Sequence, residues 1–411
     1  MSEAVPEVWA KSKIGSLISE ISQKTTSTNQ YEVLSVTKDG IQSQREYFKK
    51  QIASEDNTGY KVVHKGNLVF GTMNLWMGSL DVLKKTDIGI VSPAYKTFKF
   101  NSEKCGIDFM SYYMRSPFMI QKYIMHSQQG ASIVRRNLDL DQLLEDVVSI
   151  PPLPEQKKIA AILTSVDEVI DATQKQIDKL QDLKKATMNE LLTKGIGHTE
   201  FKDSELGRIP KSWVVTTLAK IGDFSKGKGI SKAETTSEGI PCIRYAEIYT
   251  DYDILIDRFK SFIAPHRVAT TKKLKTNDII FAGSGETVED IGKSVAFVSG
   301  CEAYVGGDSI VFSPKVQCNS IFLSYQLNDD VRRIHLRKLG QGSSVIHIYS
   351  SGIMNLNIFL PPMSEQNRIA ETLLSYSKAI VLKKQKLTQT QSLKKSLMQD
   401  LLTGKVRVKV D

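Results

Sequence analysis

Apolar residues recur in two long stretches of the chain at a spacing that alternates between three and four positions. The apolar positions are, in the first stretch, Ile159, Leu163, Val166, Ile170, Ile177, Leu180 and Leu191 and, in the second, Ile369, Leu373, Tyr376, Ile380, Leu387, Leu397 and Leu401. A mean spacing of roughly 3.5 predicts helices that pair in a coiled coil. From Glu155 to Leu192 the first helix would be about 57 Å long. Thr173, Lys383 and Thr390 interrupt the apolar seams, so each helix needs a partner, and the simplest partner is the other copy.

The residues at the ends of these stretches are typical of helix termini. Pro154 suits a first helical position, and Ser364 is placed to act as an N-cap. Gly195 and Gly404 follow the last apolar residues and favour helix termination. The pattern therefore predicts one long helix in the middle of the chain and another near its end.

The two stretches are copies of each other at an offset of 210 residues. The segment 150–156, Ile-Pro-Pro-Leu-Pro-Glu-Gln, matches Leu-Pro-Pro-Met-Ser-Glu-Gln at 360–366. The motifs Leu-Lys-Lys at 183 and Leu-Leu-Thr at 191 recur at 393 and 401. Between 151–195 and 361–405, 17 of 45 positions are identical without a gap. An ungapped match of this length indicates rigid helices, because loops tolerate insertions.

Weaker traces of the duplication remain in the two globular halves. The matching anchors are Pro6-x-x-Trp9 with Pro210-x-x-Trp213, the strand entries 65–70 with 276–281, the helical segments 109–112 with 322–325, and the Gly-Ser turns 130–134 with 342–346. Short strands alternate with helices, such as one expected over 107–129, which predicts an α+β fold made of two mixed α/β domains. The expected boundaries are 1–150, a central helix over 151–197, a second domain over 198–360 and a C-terminal helix with a basic tail over 361–411.

Length and composition are those of an ordinary globular protein. The 411 residues, 41% hydrophobic and 24% charged, suit two domains with spacers. No apolar run approaches the roughly 20 residues of a membrane span, and the N-terminus has no apolar signal segment, so we expect a cytoplasmic protein. Four scattered cysteines and six histidines without ligand spacing predict reduced thiols and no metal site.

The positive charge is concentrated near the C-terminus. The net charge is +10 and the isoelectric point is near 9.1, which favours a polyanionic partner. Residues 1–150 contribute only +2 and residues 201–360 only +3, whereas residues 361–411 contribute +6. Charge alone therefore does not identify a nucleic-acid-binding protein, and the basic tail could equally be a solvated helix face.

One glycine-rich segment is similar to the turn with which adenine methyltransferases hold S-adenosylmethionine. It runs from Asp278 to Gly285, but glycine returns at Gly292, before a helix of useful length can form. An Asn or Asp followed by Pro-Pro and an aromatic residue, which such enzymes need, is also missing. We therefore expect 278–285 to form a surface loop, and we find no catalytic set of residues. An adenine methyltransferase remains an alternative hypothesis.

Several loops are rich in side chains that can reach base edges and phosphates. Arg and Lys suit guanine, Asn and Gln suit adenine, and lysines among glycines suit phosphate oxygens. The candidates in the first half are Arg45, Lys49, Asn74, Trp76, Gln128, Gln129, Ser132 and Arg135, which Arg136 follows. The candidates in the second half are Lys226, Lys228, Lys232, Arg244, Tyr245, Ser284, Glu286, Gln341, Ser343, Ser344 and His347.

Two variable halves, each closed by Pro-Pro-x-x-Glu-Gln-x-x-Ile-Ala and a long helix with Leu-Lys-Lys and Leu-Leu-Thr near its end, resemble the specificity subunit of Type I restriction–modification systems. The resemblance spans the chain. It implies that each half is a target recognition domain for one part of a split site in double-stranded DNA. It also implies that the two helices pair as an antiparallel coiled coil and that the internal duplication is pseudo-twofold.

The same resemblance implies partners and a division of labour. Two methyltransferase subunits and two restriction and translocase subunits would dock on this chain, and S-adenosylmethionine, ATP and Mg²⁺ would be bound by those partners and not here. Only the helical motifs transfer residue by residue, as structural and partner-docking positions: Pro151, Pro152, Glu155, Gln156, Pro361, Pro362, Glu365 and Gln366. A coiled-coil adaptor that binds proteins and no DNA is a second alternative hypothesis.

Overall fold

A computed structural model describes residues 8–48, 54–129 and 136–410, apart from the side chain of Gln129. The chain divides into two compact units. Unit 1 joins Met1–Lys175 to Lys384–Asp411, and unit 2 is Gln176–Lys383. Each unit therefore combines a globular part with half of each long helix. The boundaries between the units lie inside the two helices, and not at the ends of the globular halves.

The globular part of unit 1 consists of short strands and short helices. The elements in chain order are β1 (Ala10–Lys13), β2 (Ile18–Glu20), β3 (Leu34–Thr37), β4 (Gly40–Ser43), α1 (Gln44–Tyr47), β5 (Lys61–His64), β6 (Leu68–Gly71), β7 (Leu80–Val82), β8 (Ile88–Val91), β9 (Tyr95–Phe100), α2 (Ile107–Tyr113), α3 (Pro117–Met125), β10 (Ser127–Gln129), β11 (Arg136–Leu138), α4 (Leu140–Glu145) and β12 (Val147–Ile150), followed by the long helix α5 (Leu153–Lys194). Two 3-10 turns lie at Ile14–Ser16 and Leu75–Met77.

Among the described residues, the globular part of unit 2 has more strands than that of unit 1. Its elements are β13 (Phe201–Ser204), β14 (Gly207–Pro210), β15 (Val214–Thr217), α6 (Leu218–Ile221), β16 (Gly222–Lys226), β17 (Ile240–Ile243), α7 (Tyr245–Thr250), β18 (Ser261–Ile263), β19 (Lys272–Lys273), β20 (Asp278–Ala282), β21 (Ser284–Gly285), β22 (Ser294–Phe297), β23 (Tyr304–Val305), β24 (Ser309–Pro314), α8 (Ser320–Leu327), α9 (Asp330–Lys338), β25 (Ile346–His347), α10 (Ser350–Ile353) and β26 (Asn357–Leu360), followed by the long helix α11 (Met363–Leu402). Two 3-10 turns lie at Lys232–Glu234 and Pro265–Thr270.

The two units share a sheet topology that the weak sequence anchors only suggested. Unit 1 has an antiparallel sheet in the order β2-β9-β6-β7, and unit 2 has an antiparallel sheet in the order β16-β24-β20-β22. The predicted strand entries are β6 and β20, which lie inside their sheets. A residue with a left-handed backbone comes shortly before each strand, Gly66 before β6 and Asn277 before β20. Unit 2 adds a second sheet, β18-β17-β23-β19, that contains a parallel pair.

Each globular part is closed by pairing an early strand with its last one. In unit 1, β1 pairs antiparallel with β12, with Ala10 opposite Ile150. In unit 2, β15 pairs antiparallel with β26, with Val214 opposite Leu360. Because β12 and β26 run directly into the Pro-Pro motifs, this pairing fixes the point at which each long helix leaves its globular part.

The structure confirms the mixed α+β class, the duplication and the two long helices, and it corrects two expectations about helices. The helix expected over 107–129 is two helices, because Ser116 caps a new helix that begins at Pro117. Ser364 is the second residue of α11 and not its N-cap. Gly195 and Gly404 have φ of 65° and 77° and follow the helix ends, as predicted.

The ends of the long helices complete the two hydrophobic cores. In unit 1, Leu401 and Leu402 at the end of α11 join Trp9, Ile159 and Leu163 in one buried cluster. The start of α5 therefore lies beside the end of α11, and the two segments run antiparallel, with Lys394 Nζ 2.5 Å from Asp167 Oδ1.

No helix in the described part of the chain is long and apolar enough to cross a membrane.

Unit 2 repeats this arrangement with the helices exchanged. Leu192, near the end of α5, packs in one buried cluster with Trp213 and with Ile369 and Leu373, which lie at the start of α11. Lys383 Nζ donates to Gln176 Oε1 at 2.8 Å, so a lysine that interrupts the predicted seam has a polar partner. The two leucines of each Leu-Leu-Thr motif therefore pack in or against the core of the unit in which their helix ends.

A buried glutamate at the start of each long helix holds the junction together. Trp9 Nε1 donates to Glu155 Oε2 at 3.3 Å, and Trp213 Nε1 donates to Glu365 Oε2 at 3.1 Å. Arg407, beyond the end of α11, donates twice to Glu155, at 2.6 and 2.8 Å. A buried carboxylate is stable only when hydrogen-bond donors replace its water. These donors come from the opening segment of a globular part and from the end of a helix.

Glu365 meets the same need with different donors. Its Oε1 accepts from the Ile196 amide at 2.9 Å and from His198 Nε2 at 2.8 Å. Ile196 and His198 follow the end of α5, as Arg407 follows the end of α11. Both junctions therefore bury a glutamate that accepts a hydrogen bond from a tryptophan. The remaining donors are a guanidinium group in unit 1 and a backbone amide with an imidazole in unit 2.

The adjacent glutamines satisfy buried backbone groups in the same way in both units. Gln156 Nε2 donates to the Pro151 carbonyl at 2.8 Å, and its Oε1 accepts from the Gly106 amide at 2.7 Å. Gln366 Nε2 donates to the Pro361 carbonyl at 2.8 Å, and its Oε1 accepts from the Asn319 amide at 2.9 Å. The Pro-Pro-x-x-Glu-Gln motif is thus an internal connector between a helix and its globular part.

The first lysine of each Leu-Lys-Lys motif lies over a tyrosine of the globular part. Lys394 Nζ is 5.4 Å from the ring centroid of Tyr112, and Lys184 Nζ is 5.6 Å from that of Tyr325. Burial raises the pKa of both phenols, that of Tyr325 to about 12. A lysine over an aromatic face adds a cation–π attraction to its ion pair, so this contact is a second tie between helix and globular part.

We predict that Glu365→Ala destabilises the protein by about 2–4 kcal/mol, because it leaves buried donors of Trp213, Ile196 and His198 without an acceptor. The matched control is Glu371→Ala on the exposed side of the same helix, which should cost about 0.5 kcal/mol or less. Urea denaturation measures both. Equal losses of stability in the two variants would contradict the role of the buried carboxylate.

Candidate nucleic-acid interface

Two of the predicted segments in unit 1 meet at a stacked pair. Trp76 lies in the 3-10 turn Leu75–Met77, and Arg136 begins β11. The guanidinium carbon of Arg136 is 4.3 Å from the Trp76 ring centroid, and the Arg136 amide donates to the Met73 carbonyl at 3.2 Å. Stacking holds the guanidinium in one orientation while its edge stays available for hydrogen bonds. Asn74, beside this pair, is exposed.

The other unit 1 candidates are less closely grouped. Gln128 is exposed on β10, where it lies opposite Asn137 on β11. The backbone of Gln129 pairs with Arg136, while Arg45 is exposed on the short helix α1. Three candidates lie outside the described residues: Lys49, Ser132 and Arg135.

The predicted lysine-rich loop of unit 2 is held close to a second glycine-rich turn. Lys226, Lys228 and Lys232 are all exposed. The amide of Gly307 donates to the Gly229 carbonyl at 2.7 Å, and a Cβ on Gly227 would lie 1.9 Å from the Gly306 carbonyl oxygen. Only glycines allow two backbones to approach so closely, so this loop presents its lysines from a fixed backbone.

The strained residue of this loop is Ile230. It is buried and has a φ of 59°, in the left-handed region that β-branched side chains avoid. Strain of this kind persists only where the surroundings hold the backbone in place, and it is common at binding sites.

The segment 278–285 is not the expected surface loop. It forms the buried strand β20 and then β21, and Ser284 is 1% exposed. Ser284 Oγ and His347 Nδ1 are 2.8 Å apart, and the two residues are opposite each other in the β21–β25 pair. This pairing, across 63 residues of sequence, draws the segment into the domain. Ser284 and His347 both line one cavity of unit 2.

Two further candidates have structural tasks in unit 2. Arg244 Nε donates to Glu247 Oε1 at 2.9 Å, and Glu247 is 1% exposed. The expected DNA contact of Arg244 is therefore limited to its remaining donors, because the buried carboxylate needs this cation. Tyr245 is half-buried, with its ring 6.4 Å from that of Tyr249. Burial raises the pKa of Tyr249 to about 12, and the nearby exposed Glu286 contributes to the shift.

The remaining candidates belong to one hairpin. Gln341 and His347 exchange two backbone hydrogen bonds, at 2.9 and 2.7 Å. Ser343 and Ser344 are exposed at the tip between them, after Gly342 with a φ of 122°. The hairpin therefore projects two hydroxyl groups to solvent while its base is anchored.

A cavity of about 360 Å³ brings Lys226, Ser284 and His347 together in unit 2. Asp308 and Tyr349 also line it, and both are exposed. Sequence reasoning missed these two residues. The signal for Asp308 is weak: it follows Gly306 and Gly307, and paired glycines before Asp indicate a turn. Its φ of 57° bears this out.

The predicted docking positions are mostly internal. Glu155, Gln156, Glu365 and Gln366 are between 1% and 8% exposed, and their polar atoms bond within their own unit. These contacts are structural, and the partner-docking role of the four residues stays a prediction. Pro151 and Pro361 are buried too, whereas Pro152 and Pro362 are exposed.

We predict that Gly227→Ala lowers stability by about 1–3 kcal/mol, because the added methyl group collides with the backbone of Gly306. Gly300→Ala is the matched control, since a Cβ there meets nothing within 4 Å. Urea denaturation of both variants gives the comparison. A Gly227→Ala protein as stable as the control would show that the loop is not held by this contact.

Comparison with known proteins places these features in one family. The family model described as "Type I restriction modification DNA specificity domain" matches twice, over residues 6–182 and 210–391. The chain is similar to the specificity subunit of the Type I restriction enzyme MjaVIII from Methanocaldococcus jannaschii, with 32% identity over 270 residues. That alignment covers 64% of this chain but only 62% of the MjaVIII subunit.

Two solved structures have the same fold. The S subunit of a Type I restriction-modification system from M. genitalium matches with a TM-score of 0.58 and 14% identity, covering 98% of this chain and 97% of that one. A chain from a structure on complex assembly and conformational transition of the Type I R-M system matches with a TM-score of 0.59 and 15% identity, covering 98% and 100%. With two copies of the family domain across most of its length, the chain belongs to the Type I restriction-modification DNA specificity family.

Proposed function

We propose that this chain is the DNA-recognition subunit of a Type I restriction–modification complex and that each globular part reads one half of a split DNA site. One observation carries the proposal. Both globular parts are joined to their helices by the same buried Trp–Glu and Gln connector, while the loops they present differ. A constant connection to the helices, together with different loops, is expected of two modules that recognise different sequences.

The modest charge of the globular parts is compatible with this role. Two weak modules on one chain gain affinity together, because binding of the first raises the effective concentration of the second. Modules about one turn of DNA apart, roughly 10 base pairs, can both enter the major groove from one face. A spacer of long helices would set that separation.

The proposal includes a division of labour with partner subunits. Two methyltransferase subunits would dock on this chain, and two restriction and translocase subunits would join them. S-adenosylmethionine, ATP and Mg²⁺ would be used by those partners in the cytoplasm, and this chain would have no catalytic role. The exposed Pro152 and Pro362 remain candidate docking positions.

The competing methyltransferase hypothesis is disfavoured by the segment that suggested it. Gly283 and Gly285 are buried between strands, and the amide of Ile348 donates to the Gly283 carbonyl at 2.9 Å. A nucleotide-binding turn instead opens a helix whose N-terminus faces the ligand. The 278–285 segment therefore lacks the geometry of such a turn.

We predict that this chain, purified with its methyltransferase partner, selects a split motif from a random duplex pool at fixed salt. Two blocks of invariant base pairs should flank a gap of constant length, and the isolated chain should not bind S-adenosylmethionine at micromolar concentration. Enrichment of no split motif would favour the coiled-coil adaptor. Micromolar S-adenosylmethionine binding would overturn the non-catalytic assignment.

We predict that lengthening both helices between the units widens the gap and leaves both half-sites unchanged. The insertion duplicates residues 169–175 in α5 and 384–390 in α11, next to the unit boundaries. One heptad adds about 10 Å of helix, or roughly three base pairs. The control duplicates 169–175 alone, which puts the helices out of register and should lower stability. A change in the bases themselves would contradict the spacer model.

A further inference from the structure

We propose that the cavity of unit 2 reads one C·G base pair, with Asp308 accepting from the cytosine amino group and Lys226 donating to guanine. This inference rests on the proposed function and deepens it. The cavity measures about 360 Å³, and its lining includes the apolar side chains of Phe224, Ile310 and Ile348. In the major groove a C·G pair presents one amino donor beside the two acceptors O6 and N7.

The backbone around the cavity is fixed before any ligand arrives. The Gly283 amide donates to the Asp308 carbonyl at 2.8 Å, and the Ile348 amide donates to the Gly283 carbonyl at 2.9 Å. The bond between Ser284 and His347 ties the same two segments through their side chains. Asp308 is therefore held at a φ of 57° by its neighbours. A preorganised site loses little freedom on binding.

The charged groups of the cavity have no partners of their own. No hydrogen bond or ion pair in the described part of the chain joins the Asp308 carboxylate or the Lys226 ammonium to another side chain. In the cavity of unit 1, Arg115 pairs with Asp81 and Lys394 pairs with Asp167, and Asp39 and Asp171 line it as well. In the cavity of unit 2, the Asp308 carboxylate and the Lys226 ammonium group keep their hydrogen-bonding capacity for a ligand.

The sign of the Asp308 charge identifies the part of DNA that it faces. A carboxylate repels phosphate, so an unpaired aspartate beside lysines can contact DNA favourably only at a donor on a base edge. The lysines of the neighbouring loop, Lys228 and Lys232, provide the opposite charge for the backbone. Phosphate contacts of this kind orient a protein on DNA, and base contacts make it specific.

The test is selection from a random duplex pool by the complex with the methyltransferase partner, comparing the unaltered chain with Asp308→Asn and Lys226→Ala. Asparagine tolerates the left-handed backbone at 308, so the fold is retained. We expect both variants to lose preference at the same base pair, about tenfold or more, with all other positions unchanged. Asp203→Asn, at an exposed carboxylate outside the cavity, is the matched control and should leave the motif intact.

Three results would overturn the inference. The Asp308→Asn chain could retain the motif unchanged, it could bind all sequences more tightly without losing selectivity, or the two variants could affect different base pairs. Each of these would show that the cavity does not read one pair. Failure of the unaltered complex to enrich any split motif would instead overturn the proposed function, so the two failures are distinguishable.

Discussion

The architecture depends on one buried carboxylate at the first turn of each long helix. Glu155 and Glu365 lose their water when the helix docks, and the loss is tolerable only if donors converge on them. The indole of Trp9 or Trp213 comes from the globular part, and the second set of donors comes from beyond the end of the other helix. A single charge therefore determines how three separate segments of the chain meet.

Between the two units, the contacts of the long helices are kept more strictly than the residues that make them. Lys394 pairs with Asp167 on the neighbouring helix, whereas its equivalent Lys184 pairs with Asp253 of the globular part at 2.7 Å. Position 377, the equivalent of 167, is a serine that bonds Tyr325 at 3.1 Å. The carboxylate has moved from helix to globular part while its lysine and tyrosine have stayed. Such an exchange lowers the sequence identity between the copies while the contact between lysine and tyrosine is kept.

The sequence was most informative where structure is local. A spacing near 3.5 predicted both helices, and Gly195 and Gly404 correctly indicated their ends. Prediction from the sequence failed where a distant segment of the chain determines whether a residue is buried. Ser284 lies in a glycine-rich stretch that favours a loop, but pairing with His347 buries it. Asp308 escaped notice because its place in the cavity depends on strands that only the fold brings together. For the candidate loops, residue type indicated the chemistry that each side chain can provide, and tertiary contacts decided its position.

Unit 1 is formed from two separate segments of the chain, and this has a consequence for its biosynthesis. Unit 2 is one continuous stretch, 176–383, whereas unit 1 also needs 384–411. A growing chain leaves the ribosome from its N-terminus, so the second unit has all its residues before the first does. Until Leu401 and Leu402 emerge, the core around Trp9 lacks part of its cover and Glu155 lacks Arg407. The half that is synthesised first is therefore the last to be completed, and a truncated product would leave its apolar core exposed.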